Sequence, residues 1–560
     1  MSVKIREDVV KTDFLIVGGG VAGLQAAMTA AQKGIQVVVA EKADTRRSGC
    51  GANGNDHFAC YIPECHGDDF ELVIRQVNQT IDGGPWQDPT MLRLWLSRTY
   101  EVVKIWESIG INMRPTGKWN FEGHSVPGNQ KYHLKFDGHN QKPALTNAAK
   151  KYGAKIMNKI VMTEILVGKE GRVAGAIGVD ISEDTPEIVV FQAKAVLIAA
   201  GSASRLYPGI TPAYMFNDAG CPANTGDGHA MAYRAGARLA NLEMAGGHAG
   251  PRYFARGGKG TWIGITSDIN GKCITPYQDD TPSRENGDIA SDIWPGSYRD
   301  RMQAGIGPSY MNCTKTTDED LDYMLHTAFV SEGIDSLTDC FEKSNIDLRK
   351  SMVEFGSYNI GLSTQGIDID AHAMSSLPGL YAAGNVVGNV KGNLAGAAVL
   401  GLVAAEHAAE YVKTVAAEDV CDHPLIKETQ ALYTEIMDRE NGAGWKEAAS
   451  TLQNIMNDYC GLTVRSETML TAGLTYLRQL KASARQSLAA ENSHELMRVL
   501  EVLDLIDVGE PMFLMALNRK ETRPPHKRAD YTYTNMLLND KFQTVEKHGD
   551  EVTLDFRARF

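Results

Sequence analysis

The 560-residue sequence predicts an α/β fold: a Rossmann-like unit at the N-terminus, a capping insertion, and a helical C-terminal region. Three observations predict it. "FLIVGGGVAGLQAAMTAAQKGIQVVVAEK", from Phe14 to Lys42, reads as strand, glycine turn, helix, strand and acid. Apolar runs that suit strands return at 154–201 and at "GLYAAGNVVG". From about 413 to 520 the apolar spacing becomes helical, as in "HELMRVLEVLDLIDVG".

Phe14–Val17 is an apolar run without a polar gap, as a strand buried on both faces requires. Gly18, Gly20 and Gly23 match G-x-G-x-x-G. The first glycine permits a tight turn, the second lets the backbone approach a pyrophosphate, and the third lets helix and strand pack closely. The following helix aims its N-terminal N–H groups at the phosphates. Glu41 lies 18 residues after Gly23, where a carboxylate takes the ribose hydroxyls of an adenosine. Residues 91–112 carry helical periodicity, and 154–201 alternates as strands and a hairpin. Gly, Pro and aromatic residues dominate 245–310, the pattern of a loop-rich insertion that carries a site. A small-residue helix follows "GLYAAGNVVG" to about 412.

Composition excludes several classes. A formal charge of −13 argues against nucleic acid as the main partner, which needs clustered Lys and Arg. "LAGAAVLGLVAA", from Leu394 to Ala405, is too short to span a bilayer, so membrane association is expected only through a partner. No secretory leader is visible at the start, which points to the cytoplasm. The nine cysteines contain no C-x-x-C, so no iron–sulfur cluster or other metal site is expected within the chain.

Motifs spread along the chain resemble a family. "EKADTRRSG", "AVLIAAGSASRLYP", "NTGDGHAMAYRAGARLANLE", "GLYAAGN" and "ALNRKETRPPHKRADY" occur in the order seen in the flavoproteins that include fumarate reductase, succinate dehydrogenase, L-aspartate oxidase and the adenylylsulfate reductase alpha subunit. The resemblance implies an FAD-binding domain from 1–244 and 346–412, an inserted α+β capping domain at 245–345 and a C-terminal helical domain at 413–560. It implies that Gly18, Gly20, Val21, Ala22, Gly23, Glu41, Lys42, Ser48 and Gly49 bind the adenosine diphosphate and ribityl chain. Val161 would meet adenine through its backbone. Ala200, Gly201, Asp227, Gly384 and Asn385 would line the flavin. The arginine-rich closing motif is expected to fold back onto the core.

The departures from the family pattern narrow the chemistry. Gly49 stands where fumarate reductase and succinate dehydrogenase carry the histidine that bonds FAD, so non-covalent FAD is expected. The insertion supplies His248, Arg252, Arg256, Lys259, Trp262, Arg299 and Arg301, a set that suits an anionic substrate. By resemblance, His248, Arg252 and Arg299 are the catalytic candidates. Ser357 replaces a dicarboxylate-binding histidine, and Lys391 is the only cation near the position of a clamping arginine. Fumarate is therefore disfavoured. The alpha chain of adenylylsulfate reductase is closer in appearance, although its histidine and asparagine correspond to Ser363 and Ala59; Asn53, Asn55 or His57 could substitute.

The resulting expectation is an FAD-dependent two-electron oxidoreductase. It would be the flavoprotein subunit that takes a small anionic substrate in the manner of adenylylsulfate reductase, with an iron–sulfur, ferredoxin-like electron partner. Two alternatives stay open: a fumarate reductase or succinate dehydrogenase type acting on an unsaturated carboxylic acid, and a flavin electron-transfer subunit without an organic substrate. Because Gly49 offers no imidazole to the flavin, acid precipitation should release the yellow colour into the supernatant. Fluorescence that stays with the protein band on a denaturing gel would contradict this.

Overall fold

The computed structural model describes residues 3–559 apart from 53, 79–86, 124–127, 210–214, 217, 219, 253–259, 276–277, 279 and 287–295. The first apolar run forms β1 (Val10–Val17), the glycine turn opens α1 (Val21–Gln32), and β2 (Val37–Glu41) returns parallel to β1. β3 (Lys155–Asn158) extends the sheet beyond β2. The long alternating region makes β4 (Ile160–Val167), β5 (Val173–Asp180) and β6 (Glu187–Ile198). The sheet runs β3-β2-β1-β6-β5-β4. Parallel pairing at its centre gives way to antiparallel pairing at β5 and β4. β7 (Leu380–Ala382) lies parallel to β6, with Ala382 opposite Ile198. Carboxyl ends of β1, β2, β6 and β7 therefore meet at one edge, the place where such sheets bind ligands.

The small-residue segment after β7 is α3 (Asn393–Thr414), packed against α1. A Cβ at Gly401 would sit 2.3 Å from the carbonyl oxygen of Ala22, so the two helices touch through their backbones. That contact explains a run of Ala and Gly that is apolar without crossing a membrane. Among the described residues, no helix is long and apolar enough to do so.

Between α2 (Asp227–Arg234) and β7 the chain builds a second sheet. Strand Gly246–Pro251 pairs with Val353–Gly361, which pairs with Ser309–Asn312, which pairs with Ile265–Ser267. Val353–Gly361 lies beyond 345, where the sequence had placed the end of the insertion. This sheet has its own core of Trp262, Phe329, Phe341 and Phe355. The Trp262 indole meets the three phenylalanine rings edge-on at 5.0–6.1 Å. Trp262 therefore belongs to the core of the cap and not, as its sequence position suggested, to a substrate surface.

Helices Pro424–Asp438, Trp445–Cys460, Glu467–Ser487 and α4 (Ser493–Asn518) form the C-terminal helical region. A hairpin that the sequence reading did not anticipate follows, Lys541–His548 with Glu551–Ala558. It joins the short strands Leu239–Ala240 and Gly366–Ile367 in one sheet. Its signal was present: alternating "FQTVEK" and "EVTLDF" flank Gly549 and Asp550, a two-residue hairpin turn.

Two buried ionic clusters tie these parts together. Lys42, just past β2, reaches Asp227 at 2.7 Å and Glu501 of α4 at 3.0 Å. Glu501 also accepts from Arg205 at 2.5 Å and Arg498 at 2.8 Å. The second cluster holds the closing motif. Arg519 bonds Glu243 at 2.7 Å, Arg465 donates to the Glu243 carbonyl at 2.7 Å, and Arg465 lies 2.8 Å from His526. Arg465, Arg519 and Arg528 are fully enclosed, so the arginine-rich segment folds back onto the core as expected.

Burial alone would push the Glu501 carboxyl up, but Lys42, Arg205 and Arg498 hold it down at about 2. A depressed carboxyl contributes stability above its unfolded value, and that stability is lost as pH falls from about 4.3 through its folded value. Glu501→Gln should lower the unfolding free energy by roughly 3 kcal/mol at pH 7, the order expected when one partner leaves a buried cluster. Denaturant melts at pH 7 and pH 3 should show a smaller deficit at pH 3.

Candidate active site

The carboxyl ends of the central strands open into a cavity of about 1030 Å³. That is at the upper end of the roughly 300–1,000 Å³ of ligand sites. Gly18 turns the chain at the end of β1 with φ +98°, and a Cβ there would lie 2.6 Å from the Ala199 carbonyl oxygen. At Gly23 a Cβ would lie 2.0 Å from the Gly18 carbonyl oxygen, so α1 can approach the turn only through a glycine. Glu41 accepts from the N–H of Gly19 and of Ala43, each at 2.7 Å, which fixes its carboxylate at the end of β2.

Of the residues expected to hold the cofactor, Gly18, Gly20, Val21, Ala22, Glu41, Lys42, Gly49, Ala200, Gly201, Asp227, Gly384 and Asn385 line the cavity. Gly23 acts from behind, through packing. Val161 is not itself in the lining, but its neighbours Ile160 and Met162 are. The Ser48 hydroxyl and the nearby Thr45 hydroxyl are buried without a hydrogen-bond partner. Orphaned hydroxyls in the loop after Glu41 are what a nucleotide-holding loop presents when the polar ligand itself is the partner. Glycine turn, carboxylate and unpaired hydroxyls together fit FAD. The Lys42 ammonium faces inward but is engaged by Asp227, Thr225 and Glu501, so it braces the wall as well.

The cap closes the cavity through Gly246 and Gly247 and through Glu332, Gly333 and Ile334. His248 is next along the same strand, opposite Tyr358, and Arg299 lies on helix Gly296–Gln303; their side chains lie outside the described residues. Arg252 is not among the lining residues and pairs with Glu354 at 2.9 Å, with its side chain crossing Gly356. Arg301 donates to the Ile306 carbonyl at 2.9 Å. Arg256, Lys259 and Asn53 fall outside the described residues, as does the side chain of Ser357.

Asn55, His57, Ala59, Ser363 and Lys391 line the cavity, and so does His133, which the sequence reading had not singled out. Strands His57–Ala59 and His133–Lys135 pair, which brings both imidazoles to one wall. Asp56 bonds the Nδ1 of His57 at 2.5 Å and the Lys135 ammonium at 2.6 Å. Burial pushes His57 below its ordinary value, with Asp56 pulling the other way. Asp56 itself resists burial and is held well below the usual carboxylate range by Lys135 and His57. The alternation of His133 and Lys135 was the readable signal for this wall. Cys60 and Cys65 share the C-x-x-x-x-C spacing of a redox dithiol, but neither lines the cavity.

Family models agree with this geometry. Residues 13–272 match the FAD binding domain, and residues 449–558 match the fumarate reductase flavoprotein C-terminal domain. The chain thus joins an FAD binding domain to a fumarate reductase flavoprotein C-terminal domain. It is an FAD-dependent oxidoreductase. Among its relatives, a chain of the fumarate reductase (CoM/CoB) of Methanothermobacter marburgensis is 24% identical over 96% of this flavoprotein and 99% of that protein. The L-aspartate oxidase of Streptomyces coelicolor is 25% identical over 93% and 89%. Among solved structures, adenylylsulfate reductase from Archaeoglobus fulgidus superposes with a TM-score of 0.82 at 22% identity, covering 100% and 99%. An adenosine-5-phosphosulfate reductase carrying a covalent sulfite adduct gives 0.83 at 22% identity over 100% and 99%. The Escherichia coli quinol fumarate reductase gives 0.82 at 20% identity over 98% and 97%.

Gly23→Ala should leave the flavoprotein largely without FAD, because the added methyl overlaps the Gly18 carbonyl. The ratio of flavin to protein absorbance after gel filtration measures it; wild-type occupancy would show that α1 can shift without loss.

Proposed function

We propose that this flavoprotein is the catalytic subunit of a two-electron oxidoreductase, that its substrate is a small anion resembling adenylylsulfate or sulfite, and that an iron–sulfur protein exchanges electrons with it in the cytoplasm. FAD, when bound, supplies two-electron exchange at its isoalloxazine ring. The observation that carries the reading is the composition of the cavity wall. Among the described residues its lining cations are Lys42, which Asp227 and Glu501 engage, and Lys391, which stands with the imidazoles of His57 and His133. A dicarboxylate is gripped best by the planar fork of arginine, which lysine cannot reproduce. A compact oxyanion is met well by a point charge and ring N–H groups.

In this reading the N–H groups at the start of α1 hold the pyrophosphate, Glu41 the ribose, and Gly49, with φ +74° and no side chain, leaves the flavin unbonded. Asp56 fixes the His57 ring by its Nδ1, and the cap residues His248 and Arg299 meet negative charge that develops on the substrate. Arg252, engaged by Glu354, would steady the strand that carries His248. The domain division that supports this is 1–244 with 346–412, 245–345 and 413–560, with strand Val353–Gly361 completing the cap. The structure carrying a sulfite adduct supports the sulfur reading. The relatives named fumarate reductase and L-aspartate oxidase favour a second one, a carboxylic acid substrate. The polar wall opposes a pure electron relay, which needs no such pocket.

Photoreduced protein mixed with fumarate should reoxidise no faster than buffer. Oxidised protein mixed with AMP and sulfite should bleach, and His248→Ala or Arg299→Ala should slow the bleaching about a hundredfold, as loss of one catalytic group does. Rapid reoxidation by fumarate would overturn the sulfur reading in favour of the second one.

A further inference from the structure

Lys142 stands at the second position of helix Gln141–Lys151 and is 1% exposed. Its ammonium donates to the carbonyl oxygen of Gly19, in the middle of the glycine turn. Among the described residues that is its one hydrogen bond, and no carboxylate pairs with it. The charged and titratable groups that face it are Glu41 of β2, Asp44 in the loop beyond it, and the Cys221 thiol. The Glu41 carboxylate is already engaged by the N–H groups of Gly19 and Ala43. A buried ammonium without an ion partner is expensive to keep charged. Burial accordingly draws Lys142 down to about 8, with Glu41 and Asp44 pulling the other way.

The position of this cation relates it to the cofactor. In a trans peptide the C=O and the following N–H point in opposite directions. Drawing the Gly19 carbonyl back onto Lys142 turns the Gly20 N–H to the opposite side of the turn. Gly20 lines the cavity at the entrance to α1, where this fold seats a pyrophosphate. Glu41 holds the N–H end of Gly19 while Lys142 holds its carbonyl end, so the residue is clamped at both ends.

We propose that Lys142 is a positioning residue for the FAD pyrophosphate, orienting the Gly19–Gly20 peptide toward it and adding positive charge from behind the turn. The inference rests on the FAD site alone and not on the identity of the substrate. Because the anion stabilises the charged lysine, FAD binding above pH 8 takes up a proton at Lys142. Below about pH 8 the lysine is charged with or without FAD, and affinity is flat. Above it, the free protein must recapture a proton, and the dissociation constant rises toward tenfold per pH unit.

The test is FAD binding by full-length protein, freed of flavin, from pH 6.5 to 9.5, read by flavin fluorescence, with calorimetry in buffers of different ionisation enthalpy to count protons. Wild type should show the break near pH 8 and proton uptake at pH 8.5. Lys142→Met should bind about ten- to a hundredfold more weakly at pH 7, the worth of one charge-assisted contact, with the break gone. Lys142→Arg should restore affinity and hold it flat to pH 9.5. A wild-type profile without a break or proton uptake, or a break that persists in Lys142→Met, would overturn the proposal. If the variants do not fold, wild type alone decides: ADP should take up a proton and adenosine, which lacks the pyrophosphate, should not. Equal uptake by both would place the titrating group elsewhere.

Discussion

The ion cluster of Lys42, Asp227 and Glu501 is the constraint on which the site depends. Lys42 follows the acid that ends β2, Asp227 opens α2, and Glu501 lies in α4, 459 residues along the chain from Lys42. All three are removed from most solvent, where an ammonium can be kept only among carboxylates. Placing one therefore places all three. The strand that presents Glu41, the helix that opens with Asp227 at the cavity and the helical region behind them are held in one arrangement. Arg205 and Arg498 also reach Glu501, so its buried carboxylate is met by three cations.

Glycine contacts provide precision where ions provide registration. Gly23 brings α1 onto the turn of Gly18, and Gly401 brings α3 onto Ala22 at the start of α1. These contacts admit no Cβ, and both act on the first turn of α1. The helix terminus that faces the cavity is thus fixed along its axis by Gly23 and laterally by α3. An anion held by that terminus gains from preorganisation because little backbone remains to be ordered on binding.

The second cluster performs the corresponding task at the cap. Glu243 lies just before the strand that bears His248, and it is seized by Arg519 from the end of α4 and, through its carbonyl, by Arg465. Pro524 and Pro525, in the same returning segment, reach the cavity wall. Lys527 pairs with Asp300 of the helix that carries Arg299. The closing motif therefore braces both cap segments against the cavity, which explains why arginines near the end of the chain are buried and not solvated.

The sequence by itself determined the local units. The G-x-G-x-x-G turn, Glu41, the alternating strands and the helical C-terminal region each depend on neighbours within a few residues, so residue type and spacing were sufficient. A subtler signal lies in helix Gln141–Lys151. Lys142 shares a helix stripe with Leu145, Thr146 and Ala149, all buried, while Lys150 and Lys151 of the same helix are exposed. Residue type alone treats these three lysines as equals. Trp262 and Arg252 looked like site residues because aromatic and cationic side chains in a glycine-rich insertion suit one; packing put the first in a core and an ion pair with Glu354 held the second. Those outcomes, and the meeting of His57 with His133 and of Lys42 with Glu501, were decided only by tertiary structure. Each depends on which distant segment supplies the opposing charge or apolar surface, and burial sets the energy of a charged group far more strongly than its place in the chain does.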